Sequence, residues 1–221
     1  MIEADTEVND ALVDRLIGGA YNHAGQVCIS VQRILVHRAI YTQLKDKLVS
    51  RLQSLRAADP RLDSALVGPM IKENEAVRLK KWLDQAVAEG ATVLVGGEQQ
   101  GVMFEPTLLE QVSPTSEIYQ NEAFGPVAIL EPYEQFEQGI ERINQSRFGL
   151  QAGVYTQNLQ QMLYAWEQLH VGGVIINDIP SFRVDNMPYG GVKDSGLGRE
   201  GIQSAIRDMQ EERLLVIHQP G

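Results

Sequence analysis

Between Asn9 and about Tyr21 the apolar residues Val13, Leu16, Ile17 and Ala20 recur at spacings of three and four, which predicts a helix with one buried stripe. The pattern then breaks at Gly25-Gln26-Val27-Cys28 and resumes as a strand-like run, Ile34-Leu35-Val36. A second amphipathic run places Tyr41, Leu44, Leu48, Leu52 and Leu55 on one face and is closed by Asp59-Pro60, since the residue before a proline is pushed out of helical conformation. A third helix from about Glu73 to Glu89 stops at Gly90 and leads into Thr92-Val93-Leu94-Val95 and the turn Gly96-Gly97. Strand-like Val127 to Leu130, Ala152 to Thr156 and Gly173 to Asn177 alternate with helices near Glu134 to Asn144 and Leu159 to Leu169. Strands alternating with helices of this length require crossover connections, so the expected class is α/β: a three-layer, mostly parallel twisted sheet with helices on both faces. Pro180 to Gly201 lacks periodicity and is long for a connection, the kind of loop that carries function or interface.

The chain has 221 residues, enough to bury roughly 70 to 75 % of its unfolded surface without disulfides or a structural metal. Its 19 basic and 29 acidic residues give a net charge of −10, which argues against nucleic acid or a polybasic membrane contact and for small-molecule or protein partners. The acidic start, Met1-Ile2-Glu3-Ala4-Asp5, is unlike a secretory signal, and no apolar run has the length of a membrane span, so a cytoplasmic protein is expected. Histidines 23, 37, 170 and 218 and the single cysteine show no metal-ligand spacing, and no metal site is expected.

Three local features compete for the chemistry. Gly196-Leu197-Gly198-Arg199-Glu200-Gly201 spells the Gly-x-Gly-x-x-Gly dinucleotide fingerprint, but loop precedes it and too little chain follows for a second strand with a ribose-binding carboxylate. The alternative is a set of glycines making a tight turn into a last helix. Ser181 and Ser195 lack the Gly-x-Ser-x-Gly context of a strained nucleophile. Cys28 follows Gly25 and Gln26, where backbone can approach a ligand closely, and no carboxylate lies within ten residues on either side. An isolated cysteine is more often a small buried hydrophobe, yet these surroundings suit an accessible thiolate.

Gly25-Gln26-Val27-Cys28-Ile29-Ser30-Val31-Gln32-Arg33 resembles the cysteine signature of the aldehyde dehydrogenase superfamily. Two further blocks agree in the family's order: Asn121-Glu122-Ala123-Phe124-Gly125-Pro126-Val127 and Met187-Pro188-Tyr189-Gly190-Gly191-Val192-Lys193-Asp194-Ser195-Gly196. Asn144 to Gly153 is also similar, and the resemblance spans nearly the whole chain as the family's C-terminal catalytic portion.

The resemblance implies that Cys28 attacks an aldehyde carbon to give a thiohemiacetal, that hydride passes to NAD or NADP, and that water hydrolyses the resulting thioester to a carboxylate. The Cys28 N–H is then one oxyanion donor. Glu122 matches a glutamate that binds the nicotinamide ribose and Phe124 an aromatic beside that ring; the other reading of Glu122 is a solvated loop carboxylate. Tyr189 matches an aromatic lining the substrate tunnel. Phe182 and Arg183 are candidates for the far end of the aldehyde, Arg183 because its planar fork suits an anionic group. A surface arginine paired with Asp185 is the alternative.

Three parts of the family pattern are not found in the sequence: the Rossmann-like domain that holds most of the dinucleotide, the Glu-Leu-Gly-Gly general base and the oxyanion asparagine. The implied organisation is a helical lead-in over 1–24, a cysteine-bearing catalytic domain over 25–200, and a C-terminal helix and oligomerisation strand over 201–221, with Arg213 to Ile217 as that strand. The expectation is an aldehyde-oxidising half-enzyme, weak or inactive alone, although Cys28 can still be acylated by activated esters. It is expected to form a homo-oligomer or to pair with a separate Rossmann half, and the alternative is a catalytically dead homologue with a structural role.

Overall fold

The computed structural model describes residues 1–62, 65–219 and 221. In chain order the elements are α1 (Asp10–Tyr21), a 3-10 turn (Asn22–Gly25), β1 (Arg33–His37), α2 (Arg38–Leu52), α3 (Glu73–Ala88), β2 (Thr92–Val95), β3 (Gln99–Gln100), β4 (Met103–Phe104) and β5 (Thr107–Glu110). There follow α4 (Glu117–Gln120), β6 (Val127–Tyr133), α5 (Phe136–Asn144), β7 (Phe148–Gly149), β8 (Gln151–Val154), α6 (Leu159–Gln168), β9 (Gly173–Ile176), β10 (Val192–Lys193) and α7 (Ile202–Asp208).

The main sheet runs β1-β6-β5-β2, with β1, β6 and β5 parallel and β2 antiparallel at the edge. A second parallel pair, β8-β9, is joined to it through the first three residues. Ile2 bridges both Val36 and Tyr155 in parallel, with its N–H on Leu35 O (2.8 Å) and its carbonyl accepting from His37 N (2.9 Å). On the other side Glu3 N donates to Tyr155 O (2.9 Å). The amino-terminal segment, expected as part of a helical lead-in, is therefore a mid-sheet strand that closes the gap between β1 and β8.

Period-two alternation decides the layering. In β1, Ile34 and Val36 belong to a core cluster with Leu16, Leu44, Leu48, Leu79 and Leu83 of α1, α2 and α3. Leu35 points the other way, into a cluster with Phe136, Ile140 and Ala165 of α5 and α6. Helices thus cover both faces of the sheet, the three-layer α/β arrangement that the alternation of elements predicts. Two cross-links are polar and buried: Tyr133 Oη reaches Ile2 O (3.0 Å) and Glu3 Oε2 (3.2 Å), and Tyr21 Oη donates to Thr107 O (2.9 Å).

The helices and most strands lie within a few residues of their predicted positions, and two segments stand apart. The interior strand β5 is absent from the sequence reading, because Thr107-Leu108-Leu109-Glu110 follows a proline and is too short to show a period. The segment Arg213 to Ile217, expected as an oligomerisation strand, has no ladder partner among the described residues, and Leu214 to Ile217 are each 75 % or more exposed. A solvent-facing apolar stripe also runs along α6 through Leu159, Leu163 and Trp166. Among the described residues no helix is long and apolar enough to cross a membrane.

Two outcomes follow for stability. Truncating the joining strand, Ile2→Ala, should cost about 2–5 kcal/mol, as for other buried aliphatic truncations, and Tyr133→Phe about 1 kcal/mol, both measurable by urea unfolding. Burial pushes Tyr119 and Tyr155 from the ordinary 10.0 up to about 12. Their folded-state values are raised, so their contribution is complete below pH 10 and is lost as pH rises from 10 towards 12. The midpoint of thermal unfolding should fall across that window.

Candidate active site

The cysteine loop is shaped by the way α1 ends. His23 (φ 51°), Ala24 (φ 55°) and Gly25 (φ 66°) turn the chain through left-handed backbone, a region that side-chain-bearing residues seldom occupy. Gly25 is required there for a second reason: a Cβ built on it would lie 2.1 Å from Gly125 O. The loop bearing Cys28 and the loop before β6 therefore meet backbone to backbone.

Two glutamines anchor the cysteine loop, one to the segment before α3 and one to the loop before β6. Gln26 accepts from Ile71 N (2.7 Å) and donates to Pro69 O (3.3 Å). Gln32 donates to Asn121 O (2.8 Å) and Ile118 O (3.0 Å) and accepts from Ala123 N (2.9 Å), using all three contacts to hold the segment that carries Glu122. Val31 N donates to Gly19 O (3.0 Å), tying the loop back to α1. Cys28 hangs exposed between these fixed points, and among the described residues nothing accepts its backbone N–H.

Cys28, Glu122 and Phe124 line one cavity of about 440 Å³, together with Arg33, Gln151 and Asp178. Its floor is the amino-terminal ends of β1, β6 and β8, opposite to the carboxyl-end crevice usual in open parallel sheets. Phe124 is held at φ 45° and is 41 % exposed. The Glu122 carboxyl is raised above the usual carboxylate range by partial burial, against the opposing charge of Arg78. Arg78 itself pairs with Glu75 (2.8 Å) and donates to Ala123 O (2.7 Å), so it also braces this loop.

Tyr189 approaches the thiol with its hydroxyl 2.8 Å from Sγ. Its residue is only 7 % exposed, and burial first, then the contact with Cys28, holds the phenol well above its ordinary range. The ring is pinned by a backbone bridge to Glu200 and by Arg183, whose guanidinium carbon lies 4.2 Å from the ring centroid. Arg183 faces Glu200 at 3.6 Å; the surface pair weighed in the sequence, with Asp185, is not the one formed. Phe182 is 39 % exposed, and its carbonyl accepts from Gln151 Nε2 (3.3 Å). Arg183, Tyr189 and Sγ thus form one stack, while Phe182 adjoins it along the loop.

The rejected candidates have structural tasks. Gly196 (φ 114°) and Gly198 (φ 75°) turn the chain ahead of the short α7, preceded only by the two-residue β10. Ser195 Oγ accepts from Gly149 N (2.9 Å), and Ser181 Oγ donates to Ile29 O (2.6 Å), fastening the long loop to the cysteine loop. Among the described residues no three His, Cys, Asp or Glu side chains gather as a metal site. Gln26, Gln32, Arg78 and Gly125 were not foreseen as positioning groups, and for Gln26, Gln32 and Gly125 membership of the quoted blocks was the only signal.

An exposed thiol beside a free N–H, a carboxylate and an aromatic face in one concavity is suited to nucleophilic attack on a carbonyl held next to a polar ring system. The sequence matches the profile described as "Aldehyde dehydrogenase family" over residues 1–215. It is 42 % identical over 216 residues to the 3-sulfolactaldehyde dehydrogenase of Priestia aryabhattai, covering 98 % of this chain and 45 % of that protein. Among solved structures it is similar to aldehyde dehydrogenase 21 from Physcomitrella patens in complex with the reaction product succinate, with a TM-score of 0.94, 40 % identity, and 98 % and 45 % of the two chains covered. It is also similar to the glyceraldehyde-3-phosphate dehydrogenase GapN of Methanocaldococcus jannaschii complexed with NADP, with a TM-score of 0.89, 38 % identity, and 94 % and 45 % covered. The chain spans about half the length of these relatives. Over that span the fold is shared with these relatives, and the chain belongs to the aldehyde dehydrogenase family.

Proposed function

We propose that this chain carries the nucleophile-bearing part of an NAD(P)-dependent aldehyde dehydrogenase, with Cys28 as nucleophile and an anionic aldehyde as substrate. The observation that carries the reading is the shared cavity: one concave surface presents the exposed thiol, the Glu122 carboxylate and the Phe124 ring. A carboxylate able to accept from ribose hydroxyls, next to an aromatic face, fits the nicotinamide end of a dinucleotide. Glu122 and Phe124 are the residues that would hold it. When bound, the dinucleotide supplies the acceptor for the hydride lost by the substrate.

The chain's own steps begin with Cys28 losing its proton to solvent. Its sulfur then bonds the aldehyde carbon, and the carbonyl π electrons move onto oxygen, where the Cys28 N–H donates. After oxidation, water adds to the thioester and the thiolate leaves as the carboxylic acid forms.

Support for an anionic substrate comes from Arg183. Its half-exposed guanidinium lies in the stack behind the thiol, with Glu200 as its only carboxylate partner among the described residues. Of the three relatives, one is a dehydrogenase of a sulfonated aldehyde, one holds the dicarboxylate reaction product succinate and one is a dehydrogenase of a phosphorylated aldehyde. The apolar stripe on α6 and the exposed Leu214 to Ile217 support association into a dimer or larger homo-oligomer.

Reduced-nicotinamide formation with NAD and NADP, over neutral, hydroxylated and anionic aldehydes, tests the reading. Expected is weak turnover or none, because only Glu122 and Phe124 are assigned to the cofactor, with any turnover lost altogether in Cys28→Ala. Turnover surviving that substitution would contradict the nucleophile. Arg183→Ala should reduce the preference for anionic over neutral aldehydes about tenfold, as for loss of a charge-assisted contact, and an unchanged preference would remove Arg183 from the site. Light scattering at micromolar concentration should report a dimer or more, and a monomer would contradict the association.

A further inference from the structure

We propose that the Tyr189 hydroxyl is a catalytic hydrogen-bond donor to the Cys28 thiolate, setting the population and direction of the nucleophile. The inference rests on Cys28 being the nucleophile, but its test reads the thiol directly.

Four observations lead to it. The hydroxyl oxygen is 2.8 Å from Sγ, and no other partner for it is found among the described residues. The residue is nearly buried, and a buried phenol without a partner is costly, so the sulfur is what satisfies it. The ring cannot swing away: Tyr189 N donates to Glu200 O (3.2 Å) in the backbone bridge, and Arg183 covers its face. Finally, a cation over the ring draws electron density from the phenol and makes its O–H a stronger donor.

With a neutral thiol either atom of the pair can donate. With a thiolate only the oxygen can, and the bond becomes charge-assisted. The thiol proton goes to water, and the phenolic hydrogen stays on its oxygen, held there because Tyr189 is kept far from ionising. Other charges surround the sulfur: Glu122, Arg33, Asp178 and Asp194 line the cavity, and Arg183 with Glu200 lies behind the ring. None of these is in hydrogen-bond contact with Sγ.

The consequence has two opposed parts. A donor that favours thiolate raises its population at neutral pH, yet a more stabilised thiolate is intrinsically less nucleophilic, by somewhat less than half of the same logarithmic change. Removing the donor therefore makes the thiol slower at neutral pH and faster at alkaline pH. Mere loosening of the loop would not produce a change of sign.

The experiment is alkylation of the chain by iodoacetamide across pH, for wild type and Tyr189→Phe, with circular dichroism confirming the fold. For Tyr189→Phe the midpoint should move up by on the order of one pH unit, with the neutral-pH rate falling about threefold and the alkaline plateau rising about threefold. If Tyr189→Phe does not fold, chain made with meta-fluorotyrosine, a stronger donor that keeps the hydroxyl, should move midpoint and plateau downward. An unmoved midpoint, or neutral and alkaline rates changing in the same direction, overturns the proposal. Shifted alkylation in a chain that oxidises no aldehyde would leave this inference standing while the dehydrogenase reading fails; aldehyde turnover without any shift would do the reverse.

Discussion

The approach of two backbones at Gly25 and Gly125 is the constraint on which the site depends. A single Cβ at Gly25 would stand 2.1 Å from the Gly125 carbonyl oxygen, so any other residue must push the two loops apart. One loop carries the thiol and the other carries Glu122 and Phe124, and neither set of groups makes a site by itself. Gln32 fixes the juxtaposition and Gln26 anchors the cysteine loop to the segment before α3, which lets side chains nearly a hundred residues apart share one cavity. Rigid scaffolding of this kind is what near-attack geometry requires.

That constraint stands on the sheet. Alternating residues of β1 enter two separate hydrophobic clusters, and the Met1–Glu3 segment extends the sheet so that β8 and β9 share the layer of β1 and β6. The cavity opens at the amino-terminal edge of these strands, so the long Pro180–Gly201 loop can be fastened across to the cysteine loop through Ser181. The loop then delivers Tyr189 to the sulfur and stacks Arg183 behind it. Chemistry in this fold comes from what the strands' ends hold together rather than from any strand itself.

The residues most legible in the sequence are those whose local pattern is self-sufficient: amphipathic α1, α2 and α3, and the strands that alternate with helices. Cys28, Glu122, Phe124 and Tyr189 were legible as parts of ordered blocks; in the structure the first three line one cavity and the Tyr189 hydroxyl lies 2.8 Å from the Cys28 sulfur. What was not legible is pairing at a distance. Ile2 carries no sign that it bridges β1 and β8, Thr107–Glu110 is too short to show a period, and a strand at Arg213–Ile217 needs a ladder that none of the described residues offers. Arg183 illustrates the same limit, since sequence proximity favours Asp185 while folding supplies Glu200.

The measurement that tests the central claim most directly is peptide-resolved mass spectrometry of the chain after brief exposure to nitrophenyl acetate at neutral pH, a reaction that needs no dinucleotide. The account predicts that a single acetyl group appears first on the peptide containing Cys28, well before any lysine is modified. Acetylation spread over surface lysines while the Cys28 peptide stays unmodified would contradict it, because the loop geometry would then not have produced a competent nucleophile.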